Sequence, residues 1–246
     1  MTWARRLQKW EIGRQRFENM DELKFVITAD GSKTIYNSLV GENYHSTHGA
    51  LQESRHVFLN AGLQYFLTNN AQEEISILEV GFGTGLNFLL SANHCTDNKV
   101  KLDYTGIEAY PLSEKMISQT GYEKYASDEI WNSFTKQYSV SLKETVATNT
   151  FCQLQIASCQ LLNFSSSNQY DIIYFDAFAS ARQPEMWDEK SIYHTIQFLK
   201  PGGVFVTYAI TGNLKRQLKS LGLKVEKAPG APGKREMLRA IKCAAE

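Results

Sequence analysis

Apolar and polar positions along the chain fall into two periods. "KFVITADGSKTIYN" holds two β-rich runs around an Asp30-Gly31 turn and predicts a hairpin. "ALQESRHVFLNAGLQYFL" places Leu51, Val57, Phe58, Leu63, Phe66 and Leu67 at helical spacing. Beyond it the period alternates. Apolar, strand-like runs lie at 75–80, 102–108, 152–156, 170–176 and 204–208. Helical patterns lie near 86–94, 112–120, 123–134, 191–199 and 212–221. The chain closes on "LKVEKAPGAPGKREMLRAI", two strand-like runs around a Pro/Gly-rich loop. Residues 1–19 are basic and aromatic without a clear period and read as an arm, with Met20 an equally natural start.

Strand-like runs that are nearly continuous in apolar residues and alternate with helices predict an α/β fold, a mostly parallel sheet covered on both faces. Closure by an antiparallel terminal hairpin is the layout of a seven-stranded class I methyltransferase, although many doubly wound, Rossmann-like folds share its first half. The expected division is an arm at 1–19, an N-terminal hairpin and helix at 20–72, and the main domain at 73–246.

Composition narrows the picture little. Of 246 residues, 43% are hydrophobic and 21% charged, as in an ordinary globular protein. No apolar run reaches the roughly 18 residues of a membrane span, and the N-terminus lacks a signal peptide's apolar stretch. Cys95, Cys152, Cys159 and Cys243 lack metal-like spacing, so no metal is expected and the plain reading is a cytoplasmic chain with free thiols. Net charge is zero, yet from Lys200 onward ten lysines and arginines face only Glu226, Glu236 and Glu246. That basic stretch is either a solvated face or a surface that tracks phosphates.

The candidate chemistry starts at "ILEVGFGTGLNF". Glycines between a strand and a helix let backbone approach a ligand and aim N–H groups at it. A dinucleotide loop would read G-x-G-x-x-G, but Gly81, Gly83 and Gly85 alternate and Leu86 holds the third glycine's place. Glu79, two residues before the loop, would repel a pyrophosphate and suits an ammonium. The pattern E-x-G-x-G-x-G is that of S-adenosylmethionine sites, with an NAD site and a ligand-free turn as the alternatives. Glu108, 23 residues beyond Gly85, ends the next strand where an acid can bind ribose hydroxyls of either nucleotide. Asp176 ends the strand in "YDIIYFDAFASARQPEMW". Either it caps structure, or with the Ala177 carbonyl it accepts N–H bonds from an amine awaiting a methyl group, while Phe178 packs on a planar base. Pro184, Met186 and Trp187 read equally as site or core.

Several stretches together resemble one family, the methyltransferase domain of the tRNA 5-methylaminomethyl-2-thiouridine biosynthesis enzymes (MnmC type, MnmD where the domain stands alone). They are "YHSTHGALQESRHVFLNAGL", "GFGTGLNFLL", "IEAYPL", "YFDAFASARQPEMW" and "PGAPGKREMLRA", spread from Tyr44 to Ala240. The resemblance implies transfer of a methyl group from S-adenosyl-L-methionine to the amine of 5-aminomethyl-(2-thio)uridine in the anticodon stem-loop of tRNA. It implies cofactor contacts from Glu79, Gly81, Phe82, Gly83, Gly85 and Asn87, a ribose contact from Glu108, and Asp176 and Phe178 at the transferred methyl. "GALQES" would form a lid that brings Glu53 to the substrate, and Arg182, Lys234 and Arg235 would meet anticodon-loop phosphates. Ser158 in "QIASCQLL" stands where the family has an adenine-binding aspartate. A chain of this length has no room for the FAD-dependent oxidase of bifunctional members, so the aminomethyl substrate is expected from other enzymes. Two further readings stay open: an aminopropyl transferase of the polyamine type, whose loop tends to read Gly-Gly-Gly-Asp-Gly, and a non-catalytic RNA-binding protein on the same fold.

Overall fold

The structure is a computed structural model that describes residues 22–243. The expected arm at 1–19 lies outside the described residues. The N-terminal hairpin forms as its turn chemistry requires: β1 (Leu23–Ile27) pairs antiparallel with β2 (Lys33–Asn37) around Gly31 at φ +79°. A short third strand, β3 (Glu42–Asn43), adds to β2. The following helical rod covers residues 50–69, starting at α1 (Ala50–Ser54) and ending at α2 (Tyr65–Asn69). Its middle, Arg55–Gln64, differs from the expected α-helix by opening into wide π turns, in which the Tyr65 N–H reaches back to the Asn60 carbonyl. The wider turn seats Gly62 against the sheet, where an added Cβ would lie 2.9 Å from the Tyr174 ring.

The main sheet has the strand order β10-β11-β9-β8-β4-β5-β7-β6. Its parallel heart is β4 (Glu74–Val80), β5 (Lys101–Ile107), β7 (Cys152–Ala157), β8 (Tyr170–Phe175) and β9 (Leu199–Thr207). β10 (Leu223–Pro229) and β11 (Glu236–Lys242) form the expected antiparallel hairpin, with β11 inserted beside β9. To these seven strands the fold adds an antiparallel edge, β6 (Val146–Ala147), too short to carry a sequence period.

The helices follow the apolar pattern with caps deciding their ends. α3 (Leu86–Asp97) starts at Gly85. Ser113 and Ser127 accept backbone N–H bonds at the starts of α4 (Glu114–Ser118) and α5 (Asp128–Ser141), so each begins later than periodicity alone predicts. Asp188 caps α6 (Glu189–Ile196) and Thr211 caps α7 (Gly212–Ser220).

Because side chains alternate along a strand, the sheet builds one core on each face. Ile75, Ile77, Ile172 and Tyr174 join one core with Val57, Phe58, Leu63 and Ile35 of the N-terminal segment. Leu78, Val80, Ile173 and Phe175 join the other, with Ile192 and Leu218 of α6 and α7. Both the hairpin and the rod are thus bound into the sheet's own core. The chain runs outward from β4 through β5 to β7, then returns to β8 on β4's other side. That reversal opens a crevice beyond the carboxyl ends of β4 and β8.

Candidate active site

The crevice is a cavity of about 300 Å³. Its floor is the loop after β4. The Gly81 and Phe82 N–H groups both donate to the Ile107 carbonyl (3.0 and 3.1 Å), which folds the loop back over β5. Gly81 sits at φ +87°, and an added Cβ would lie 2.5 Å from the Asp176 carbonyl oxygen. Only glycine lets the two strand ends approach this closely. Glu108 tethers the loop from the side: its carboxylate accepts the Gly83 and Tyr110 N–H groups, each at 3.0 Å. Burial pushes its pKa upward, against these backbone bonds.

Under and beside the loop, one amide bridges two acids. Asn87 Nδ2 donates to Glu79 Oε1 at 2.7 Å and to Asp176 Oδ2 at 2.9 Å. Tyr104 donates its hydroxyl to the other oxygen of Glu79 at 2.8 Å. Burial, and then the neighbouring Asp176 charge, raise Glu79 well above the usual carboxylate range. Asp176 is pushed up to about 8, first by burial and then by the charge of Glu53; the Asn87 bond and the Lys234 charge act against the rise.

The turn that carries Asp176 is braced on three sides. Tyr208 donates its hydroxyl to the Ala177 carbonyl (2.9 Å), Trp187 Nε1 to the Phe178 carbonyl (2.7 Å), and the Ala179 N–H to Glu42 Oε2 (3.0 Å). Phe178 meets Tyr44 edge to face, with ring centroids 5.2 Å apart. Beside Tyr44, His45 Nδ1 lies 3.1 Å from the Thr34 hydroxyl; burial lowers its pKa to about 4, so it stays neutral at pH 7.

Of the residues expected from sequence, Gly81, Phe82, Gly83, Asn87, Glu108, Asp176 and Phe178 line the cavity. Glu79 lies one layer below, behind Asn87, and Gly85 serves as the left-handed start of α3. Ser158 is exposed and does not line the cavity; a tight turn, with the Cys159 N–H on the Ala157 carbonyl at 2.9 Å, swings it outward and brings Cys159 and Gln160 to the wall instead. Arg182 and Arg235 are exposed, the former with its guanidinium beside Gly41. Lys234 is not a free surface cation: it pairs with buried Glu53 at 2.7 Å and covers the Tyr208 ring at 4.0 Å.

The basic C-terminal stretch is largely spent in the same way. Lys200, Lys224, Lys227 and Arg239 pair with acids, and Lys242 donates to the Ile196 and Leu199 carbonyls. Tyr44, His45, Thr84 and Gln160 also reach the cavity although the sequence singled out none of them, and Met186, which reads equally as site or core, joins them. Trp187 is core, and its indole N–H explains its place.

The donor set fits S-adenosyl-L-methionine. The Asn87 Oδ1 is buried without a hydrogen-bond partner among the described residues, an acceptor suited to an ammonium. Glu108, Asp176, Glu185 and Asp188 line the cavity and, among the described residues, no lysine or arginine does. Such walls suit a cationic ligand and oppose the pyrophosphate of a dinucleotide. Gly81, Gly83, Asn87 and Glu108 line the cavity where such a cofactor could be held.

Comparison with known proteins agrees with S-adenosyl-L-methionine as the cofactor. A family described as S-adenosyl-L-methionine-dependent methyltransferase matches residues 125–243. The tRNA 5-methylaminomethyl-2-thiouridine biosynthesis bifunctional protein MnmC of Leptospira borgpetersenii is 31% identical over 209 residues, which cover 79% of this chain and 31% of that protein. The MnmC protein of Methylobacillus flagellatus is 31% identical over 220 residues, covering 82% of this chain and 33% of that protein. The chain therefore spans about a third of the length of the curated relatives it matches. Among solved structures, MnmC2 from Aquifex aeolicus shares the fold with a TM-score of 0.70 and 21% identity, over 100% of this chain and 81% of that one.

Proposed function

The chain belongs to the S-adenosyl-L-methionine-dependent methyltransferases of the MnmC type, and on that premise we propose that it methylates the amino nitrogen of 5-aminomethyl-(2-thio)uridine at the tRNA wobble position. The observation that carries this reading is Asp176. It stands at the cavity wall beside Asn87, next to an aromatic pair, in a cavity bounded by acids.

An alkylamine arrives as an ammonium, and its lone pair is free only after the proton leaves. A carboxylate of ordinary pKa is a poor acceptor for that proton. Asp176, raised to about 8, is better matched: its ionised form, which grows as pH rises toward 8, holds a proton far more strongly. Asn87 fixes Asp176 Oδ2 while the three braces hold the backbone of its turn, so the carboxylate meets the amine in one orientation. When bound, S-adenosyl-L-methionine supplies a methyl group on a positively charged sulfur that departs as a neutral thioether. Phe178 and Tyr44 hold the planar base, and Glu108 would hold the cofactor through its ribose hydroxyls.

The anticodon loop suits such a site because its bases are single-stranded and can be splayed into a pocket. Arg182 and Arg235 contact the flanking phosphates, the Gly49–Ser54 segment ("GALQES") acts as a lid, and the reaction takes place in the cytoplasm. Among the described residues no helix is long and apolar enough to cross a membrane.

The test is nucleoside mass spectrometry. Purified protein, S-adenosyl-L-methionine and tRNA bearing 5-aminomethyl-2-thiouridine are expected to yield 5-methylaminomethyl-2-thiouridine. Methylation of another nucleoside, or aminopropyl transfer from decarboxylated S-adenosyl-L-methionine to putrescine with no tRNA product, would overturn the reading.

A further inference from the structure

Lys234 stands where three parts of the molecule meet. It follows Gly233, whose φ of +89° turns the β10–β11 loop back toward the lid, where an added Cβ would lie 2.5 Å from the His48 ring. Its ammonium lies 2.7 Å from Glu53 Oε1 on α1, and the other oxygen of Glu53 accepts the Ser46 N–H at 2.8 Å. The same ammonium sits over the face of Tyr208 at 4.0 Å, and Tyr208 donates to the Ala177 carbonyl, next to Asp176. Close by, His56 Nε2 donates to the Pro229 carbonyl at 2.7 Å, a second tie between the rod and the hairpin.

We propose that Lys234 is a positioning residue for methyl transfer: through Glu53 and Tyr208 it fixes the Asp176–Phe178 turn and balances the charge beside Asp176. This rests on the reading of Asp176 as proton acceptor. Glu53 is largely buried, and a buried carboxylate without a partner is costly, so the pair holds the lid and hairpin together. The groups that face Asp176 are Glu79 of β4, Asn87 of α3, Glu53 of α1, Tyr208 after β9 and Lys234 of the hairpin loop; Tyr104 of β5 and Glu42 of β3 stand one layer away. Lys234 is the one cation in that set. Glu53 raises the proton affinity of Asp176 and Lys234 lowers it, so removal of either is felt at Asp176 with opposite sign.

The experiment follows the Asp176 carboxyl carbon by NMR across pH in protein labelled at aspartate, with Asp176→Asn assigning the signal, alongside the pH profile of single-turnover methyl transfer. Lys234→Met is expected to move the Asp176 midpoint upward by roughly one pH unit and Glu53→Gln downward by a similar amount, with the double variant near wild type. Lys234→Arg is expected to restore most of the wild-type midpoint. Lys234→Met should lower kcat about tenfold or more while KM for tRNA stays within about threefold. An unmoved midpoint, or a rise in KM for tRNA with kcat intact, would overturn the proposal and make Lys234 a phosphate contact. The NMR arm needs no turnover. If wild-type protein fails to methylate tRNA while the midpoints move as expected, the substrate reading fails and the charge coupling stands.

Discussion

The floor of the cavity and its lid side are built in opposite ways. The floor comes from one contiguous stretch, with β4, the glycine loop and the start of α3 supplying Gly81, Gly83 and Asn87 within seven positions. The lid side is assembled from segments far apart, as in the Glu53–Lys234 pair, whose members are 181 residues apart in the chain. The floor offers backbone and an unpartnered amide oxygen, features suited to a cofactor. The lid offers aromatic rings and a charge pair, features suited to an acceptor and its proton. Cofactor binding and acceptor chemistry are therefore expected to be separable by mutation.

The largest break in that comparison is expected from Gly81→Val. A side chain at φ +87°, 2.5 Å from the Asp176 carbonyl, costs about 1–3 kcal/mol in backbone strain alone. Isothermal titration should then show no measurable S-adenosyl-L-methionine binding. Gly233→Val, the matching change on the lid side, should leave cofactor affinity within about threefold and lower turnover. Equal loss of cofactor binding in both variants would erase the distinction between floor and lid.

A smaller effect is expected from pH. In the folded protein Asp176 holds its proton up to about 8, whereas an unfolded aspartate releases it near 4. Between those values the folded state binds the extra proton, so stability falls as pH rises toward 8. Glu79, also raised, acts in the same direction. His45 opposes them only below about 6.5, where the unfolded ring takes a proton that the buried ring refuses until about 4. From pH 6.5 to 8, thermal unfolding of the ligand-free protein should therefore show a loss of about 1–2 kcal/mol from Asp176. Asp176→Asn should remove that share of the slope; an unchanged slope would mean that Asp176 titrates normally.

The smallest effect is expected at Ser158. Exposed and turned away from the cavity, it should tolerate Ser158→Ala with cofactor affinity changed less than about twofold. A tenfold loss would return adenine recognition to that position.

These contrasts follow what was legible in the sequence. Period and spacing carried the parallel sheet, the terminal hairpin, the glycine loop and the strand-end acids Glu108 and Asp176, because each is encoded by neighbours within a few residues. Tyr44 and His45 were not legible as site residues, since only the packing of the N-terminal segment against the sheet brings them there, and Tyr208, just past β9, shows its role only through its bond to the Ala177 carbonyl. The basic C-terminal stretch was legible only as a count for a related reason: composition counts charges, and the acidic partners of Lys234, Lys200 and Arg239 appear only in the fold. The π turns of Arg55–Gln64 have no sequence period of their own and answer to the close seat of Gly62 on Tyr174.

The role of Asp176 is tested most directly by single-turnover methyl transfer to tRNA bearing 5-aminomethyl-2-thiouridine by wild-type protein and Asp176→Asn, with S-adenosyl-L-methionine affinity measured on both. Wild-type protein is expected to give a product methylated at the wobble amine. Asp176→Asn is expected to bind the cofactor within about tenfold of wild type, or about 1.4 kcal/mol, while the methyl-transfer step slows by roughly 10²–10⁴. A variant that transfers at the wild-type rate, or that loses binding and turnover in equal measure, would contradict that role and leave Asp176 a structural residue.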